Sequence, residues 1–489
     1  MNHFMCYLKL FGVLLLRIPE IRDYVVNKLN YILNPRSIAV VGASRSPSKI
    51  GHQVVRNLLD SGYKGKIFPV NPKADEILGL KCYPTVSAIP DDVDLVIIAV
   101  PAPLVKNAVI DCANKKVNGI AIITAGFSEV GNKEEEDEIV KIAREHEIPI
   151  IGPNIVGLLN STYRMNASFA QDLPYSGKIA LISQSGALII GLIGWTWLYK
   201  VGLSKVISIG NKADVDFSEL IVYLTEHDPE TNTIAIYMEG TDAGSELVEA
   251  CKRAAGKKPI IILKSGFSKR GELATMSHTG SLAGSARIYK AAFMQSYVIQ
   301  AEDLFDLYDK ALALSLQPPA MSDNILVITN GGGAGVLATD AAEKYGIPLS
   351  DTPPDLAEKM KNYMPPFGST KNPIDLTGQA NEEWYYGSIV EAVKHPEVSG
   401  VIVIYCHTAI TDPAKIAIKI AEAAKIAREY KKPIVACFIG GKEIEDAADW
   451  LKEQGVPTYP VPSRTVRAMA ALREYGKIIE RANLRKKKP

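Results

Sequence analysis

The sequence predicts an α/β protein made of three consecutive doubly wound units. Short β-branched apolar runs alternate with helix-period segments along most of the chain, the pattern of parallel sheets covered by helices. Each unit also carries an apolar run that ends in a Gly- or Ser-rich turn and passes at once into a helix. No stretch approaches the roughly 20 apolar residues that a membrane helix needs.

At 489 residues the chain is long enough for several domains with large cores. Hydrophobic residues make up 47% and charged residues 22%, as in ordinary globular proteins. A formal net charge of +1 gives no argument for nucleic acid as a partner. Six scattered cysteines without a C-x-x-C pair argue against a disulfide framework or a zinc site and suit a cytoplasmic setting. Phe11 to Leu16 is too short to span a membrane and lacks a small-residue cleavage site. Residues 1–30 read as a helical extension, and the basic Arg485 to Lys488 as part of a solvated tail.

In the first unit, residues 31–153, apolar runs recur at Ser37 to Val41, Ile67 to Val70, Leu95 to Val100, Gly119 to Ile123 and Ile148 to Ile151. Ligands of such sheets bind at the carboxyl ends of the strands. The turn Gly42 to Gly51, which includes Ala43, Ser44 and Lys49, is a candidate anion site made of backbone N–H groups and a helix N-terminus. It is not the nicotinamide fingerprint, because Ser44 stands at the second glycine position. The second strand leads to Asn71 and then Lys73 rather than to an acid. A cation there favours a ligand with an extra phosphate, such as coenzyme A. An ordinary strand-to-helix turn is the competing reading.

The second unit, residues 154–300, repeats the scheme. A run from Lys178 to Ile182 ends in Ser183-Gln184-Ser185-Gly186-Ala187, and a helix follows. Glu239 comes directly after the run Thr233 to Met238, at the ligand-binding edge. It can orient a histidine or simply lie near a helix start. His278 lies in Thr275 to Gly284, T-M-S-H-T-G-S-L-A-G, where hydroxyls and glycines let backbone and imidazole approach an anion. A satisfied histidine in a polar turn is the alternative.

A linking helix occupies 301–318, and the third unit covers 319–489. Its strand Ile325 to Thr329 runs into Asn330-Gly331-Gly332-Gly333-Ala334-Gly335 and a helix. His407, just past another strand, ranks below His278. No Walker-type phosphate loop occurs in the sequence.

Taken in order, Val41-Gly42-Ala43-Ser44, Phe68 to Pro72, Val100-Pro101, Gly152-Pro153-Asn154, Ser183 to Ala187, Gly210-Asn211-Lys212, Ser277 to Ser281 and Asn330 to Gly335 resemble the nucleoside-diphosphate-forming acyl-CoA synthetases, relatives of succinyl-CoA synthetase. The match is nearest to the α subunits of ADP-forming acetate–CoA ligases. The resemblance implies a Rossmann-like CoA-binding domain followed by two flavodoxin-like domains of the succinyl-CoA-synthetase type. It assigns CoA to Gly42, Ala43, Ser44, Lys49, Asn71, Lys73, Val100, Pro101 and Asn154. It makes His278 a phosphorylated histidine steadied by Glu239, with phosphate between the helix starts at Gln184-Ser185-Gly186 and Gly331-Gly332-Gly333. No ATP-grasp domain is found on this chain. A separate ATP-grasp β subunit is therefore expected to supply ADP/ATP and Mg²⁺ binding, in an α₂β₂ heterotetramer.

Three other readings compete. A non-catalytic CoA or acyl-CoA sensor would need the first unit but neither His278 nor Glu239. An acetyltransferase fusion would need a domain for which there is no room. Lys73 and the broken glycine fingerprint count against an NAD-dependent dehydrogenase.

Overall fold

The structure, a computed structural model, describes residues 20–268, 270–271 and 286–486. His278 and the rest of its loop lie outside the described residues, as do residues 1–19 and the last residues of the basic tail.

The first sheet holds β1 (Ser37–Val41), β2 (Lys66–Val70), β5 (Leu95–Ile98), β6 (Gly119–Ile122) and β7 (Ile150–Ile151), all parallel, in the order β2-β1-β5-β6-β7. A small hairpin, β3 (Glu76–Ile77) and β4 (Leu80–Lys81), stands beside it. The strand order reverses between β1 and β5. Their carboxyl ends therefore diverge and open a crevice, where open α/β sheets bind ligands.

The second sheet has seven strands. At its centre are β10 (Ser176–Ser183), β11 (Leu203–Ser208), β12 (Thr233–Met238) and β13 (Ile260–Lys264), parallel as the sequence pattern predicts. An antiparallel hairpin, β8 (Gly157–Asn160) and β9 (Met165–Ser168), extends one edge. Its mostly short or polar residues carry no strand pattern of their own. The third sheet is parallel and five-stranded, with β15 (Ile325–Thr329), β17 (Gly400–Cys406) and β18 (Ile434–Ile439) at its centre.

Apolar cores run continuously from unit to unit. Helix α1 (Asp23–Leu33) buries Val25, Val26, Leu29, Ile32 and Leu33, and the cluster they join reaches from the first sheet into the second. Each such side chain contributes roughly 1.5–3 kcal/mol by leaving water. This part of the expected N-terminal extension is thus a shared wedge. A second cluster joins the second and third sheets through helix α9 (Leu304–Leu316) and the C-terminal helix α15 (Pro462–Lys486). The linking helix is accordingly buried along most of its length.

A polar seam fixes the first unit against the second. The Asp214 carboxylate, 0% exposed, accepts from Arg22, from Arg144 Nε at 2.7 Å and from the Ile150 N–H at 2.9 Å. Arg22 also reaches Glu219 at 2.9 Å. Nearby, Asn211 donates to Glu129 at 2.6 Å and to Glu136 at 2.8 Å.

Removing Asp214 takes one acceptor from the largely buried Arg22, another from the half-exposed Arg144 and the side-chain partner from the buried Ile150 N–H. Asp214→Ala should cost about 3 kcal/mol, the lower end for a buried pair because Arg144 is half exposed. An unchanged urea or thermal transition would show that the seam does not hold the two units together.

Candidate active site

The first anion turn is shaped by two glycines. Gly42 follows β1 with φ of 91°, and a Cβ there would lie 2.7 Å from the Ala99 carbonyl oxygen. Helix α2 (Ile50–Asp60) presses so close that a Cβ on Gly51 would sit 2.0 Å from the Gly42 oxygen. Only glycine permits both contacts. The helix N-terminus is thereby drawn up to the strand end, with its unpaired N–H groups facing the crevice. His52 Nδ1 lies 2.8 Å from the Ser44 oxygen, and Asn71 donates to the Ala43 oxygen at 2.8 Å while accepting from the Lys73 N–H.

In the second unit β10 delivers Gln184 and Ser185 to the start of helix α5 (Gly186–Tyr199). Ser185 caps that helix, accepting from the Leu188 N–H, and Ser183 Oγ accepts from the Ser185 N–H. Gln184 Oε1 accepts from the N–H groups of Glu239 at 2.6 Å and Gly240 at 3.0 Å. One amide side chain thus couples the end of β10 to the end of β12, where the buried Glu239 begins.

These two turns meet. A single cavity of about 1060 Å³ is lined by Gly42, Ala43, Ser44, Lys49, Asn71 and, across β5, Val100 and Pro101. Asn154, Gln184, Ser185 and Gly186 complete it from the second unit. The structure therefore brings together most of the residues singled out in the sequence. Lys73 is exposed and outside this cavity, and the Asn71 amide is engaged with backbone. Glu239 is also outside the lining, one hydrogen bond behind Gln184.

Gly331, Gly332 and Gly333 belong to a separate edge on the third sheet, where helix α10 (Gly332–Lys344) starts. Asn330 donates to the Cys406 oxygen at 2.9 Å and accepts from the Cys406 N–H at 2.7 Å, locking β15 to β17. Nothing lies within 4 Å of where a Cβ on Gly333 would stand. At Gly332 the Asp375 carboxylate would stand 3.0 Å from such a Cβ. His407 does not line the cavity shared by the first two units.

Sequence reasoning missed Glu129, a cavity residue just beyond β6. Its carboxyl is held below the ordinary range; burial works against this, and the Gly126 N–H and the Asn211 amide prevail. Its signal was a carboxylate in a loop after a strand. Among the described residues no cluster of His, Cys, Asp and Glu has the form of a metal site, and no helix is long and apolar enough to cross a membrane.

Known proteins match most of the length. Family models described as CoA binding domain, succinyl-CoA ligase like flavodoxin domain and ligase-CoA domain match residues 36–161, 176–314 and 325–480. The chain is 46% identical over 460 residues to the α subunit of acetate–CoA ligase [ADP-forming] I of Pyrococcus furiosus, covering 92% of this chain and 98% of that one. This chain belongs to the ADP-forming acetate–CoA ligase family. A longer member, acetate–CoA ligase [ADP-forming] of Methanocaldococcus jannaschii, is 41% identical, with 93% of this chain matching 64% of that one. Among solved structures, the dinucleotide forming acetyl-coenzyme A synthetase 1 of Ca. Korarchaeum cryptofilum, in complex with phosphate and ADP, superposes with a TM-score of 0.90 at 43% identity, over 94% of this chain and 99% of that one.

The Gln184 bridge can be tested in this family member. Gln184→Ala strips the acceptor from two buried N–H groups, a loss of about 1–3 kcal/mol for each left unpaired. Gln184→Glu, which keeps the acceptor, should lose less. Equal melting temperatures for wild type and Gln184→Ala would refute the bridge.

Proposed function

We propose that this chain is the α subunit of an ADP-forming acyl-CoA synthetase that catalyses acyl-CoA + ADP + phosphate ⇌ carboxylate + CoA + ATP. The observation that carries the reading is the cavity shared by the Gly42 turn of the first sheet and the Gln184–Gly186 turn of the second. It offers an anion-binding helix start on each side of one space.

CoA occupies the first-unit side, with Lys49 at the rim adding charge to the backbone donors. Phosphate sits at the start of α5. A phosphate oxygen attacks the thioester carbonyl carbon, the C–S bond breaks, and CoA leaves as a thiolate that takes up a proton. Backbone N–H groups at the helix start stabilise the charge on the transferring group. A nitrogen of His278 then attacks phosphorus, the carboxylate departs, and the phosphohistidine forms. Glu239 orients the imidazole. The turn at Gly331–Gly333 serves as a second phosphate cradle when the group passes to ADP and frees His278.

A β subunit of ATP-grasp type holds ADP/ATP and Mg²⁺, in a cytoplasmic α₂β₂ assembly. The named α subunit from Pyrococcus furiosus supports a separate β chain, and the longer relatives support a fused arrangement in other members. The working units are a CoA-binding domain over 31–153 and two ligase domains over 154–300 and 319–489, joined by 301–318.

Incubation with acyl-CoA and radiolabelled phosphate should leave acid-labile label on the purified chain. His278→Ala should abolish the label and keep CoA binding, whereas Glu239→Gln should slow labelling by about 10²–10⁴-fold. Full labelling of His278→Ala would overturn the assignment. The chain alone should make no ATP from acyl-CoA, ADP and phosphate, and added β subunit should restore synthesis. ATP formation without it would remove the need for a partner.

A further inference from the structure

One wall of the cavity is built for a purpose that neither anion turn explains. Phe169 lies in the connection after β9, half-buried against both the cluster shared by the first and second units and the one shared by the second and third, and it lines the cavity. Its backbone is clamped from the opposite unit. Asn57, on helix α2, donates through one Nδ2 to the Ser168 oxygen at 2.8 Å and to the Ala170 oxygen at 2.7 Å. The two carbonyls on either side of Phe169 are thus held by the helix that begins at the CoA turn. Ser168 Oγ accepts from the Ala170 N–H at 3.0 Å and tightens the same bend.

The position of this wall is fixed by short contacts. A Cβ on Gly186 would meet Val156 Cγ2 at 2.7 Å, and the Phe169 N–H bonds to the Val156 oxygen at 3.3 Å. Phe169 is therefore one residue removed from the start of α5. Ile190, a turn further along α5, also lines the space and is 39% exposed. The wall beside Gly186 is apolar, made of Val156, Phe169, Ala187 and Ile190. The charged side chains of the cavity, Lys49 and Glu129, come from loops of the first unit.

We propose that Phe169 sets the length of the acyl chain accepted by the cavity and that Asn57 is its positioning residue. The proposal rests on the reading of this cavity as the acyl-CoA and phosphate site. If phosphate at the start of α5 attacks the thioester carbonyl, the acyl tail must lie against the surfaces next to Gly186. Those surfaces are uncharged, so the tail is too. Phe169 is the bulkiest of them, and its backbone is fixed at both flanking carbonyls. A ring packed against two apolar clusters on a backbone so held yields little to a longer tail, and packed sites discriminate against extra volume.

The test uses the complex of this chain with its β subunit and compares kcat/KM for acetyl-, butyryl- and hexanoyl-CoA. Phe169→Ala should raise the hexanoyl-to-acetyl ratio by about 10–200-fold, the range that a single methylene commands in an apolar pocket. Phe169→Leu should shift it less, which keeps the test open if the alanine variant folds poorly. Asn57→Asp, which loses both donated bonds at constant shape, should move the ratio in the same direction, and Asn57→Gln should partly restore it. CoA affinity should stay unchanged for the Phe169 variants. A hexanoyl-to-acetyl ratio equal to wild type in both Phe169 variants, with acetyl-CoA still turned over, would overturn the proposal alone. A wild-type complex that turns over none of the three thioesters would instead overturn the reading of the cavity, and this proposal with it.

Discussion

The buried carboxylate of Asp214 is the constraint on which the site depends. The reactive space belongs to neither sheet. It exists because the carboxyl edges of two sheets face each other across it. Asp214 fixes that facing by gathering Arg22 from before α1, Arg144 from the first unit and the backbone of β7 onto one side chain of the second unit. Asn211 adds an uncharged stitch a few residues away. With the wedge helix α1 filling the apolar side of the same seam, the first two units behave as one body. A preorganised site for attack on a thioester needs such rigidity, because misplacement by about 1 Å costs orders of magnitude in rate.

Side chains without charge do much of the local positioning. Asn71, Gln184, Asn330 and Asn57 each hold backbone groups at strand ends or bends. Amides suit this work because they can donate and accept and need no counter-ion. Of the charged groups at the cavity, Lys49 stands at its rim, whereas the Glu129 carboxylate is already engaged by the Gly126 N–H and the Asn211 amide.

The three strand–turn–helix openings were legible in the sequence because each is local. A β-branched run, a glycine or serine turn and a helical period are contiguous, and Gly42, Gln184 and Gly331 could be placed at strand ends on that ground alone. Long-range features were not legible. Helix α1 looked like an appendage because its partner face is nearly two hundred residues away in sequence, as the Arg22–Glu219 separation of 197 shows. The β8–β9 hairpin escaped because its residues form a sheet edge through tertiary pairing rather than propensity. Lys73 looked like a ligand residue because its strand points at the crevice, yet the chain turns outward after Asn71. Phe169 and Asn57 gave no signal, since neither belongs to a motif and their relation exists only after two units have docked.

The last helix carries a consequence for how the molecule is made. Helix α15 leaves the third sheet and returns to α9, where Arg464 grips Asp309 at 2.7 Å and Arg467 meets Asp306 at 3.0 Å. Those aspartates are buried, and they emerge from the ribosome about one hundred and fifty residues before their guanidinium partners, the separation being 155 for Asp309 and Arg464. Domains usually fold in the order of synthesis. Here the outer face of the second unit stays incomplete until α15 has emerged and supplied Arg464 and Arg467. The second and third units therefore complete each other late in synthesis, once α15 has been made.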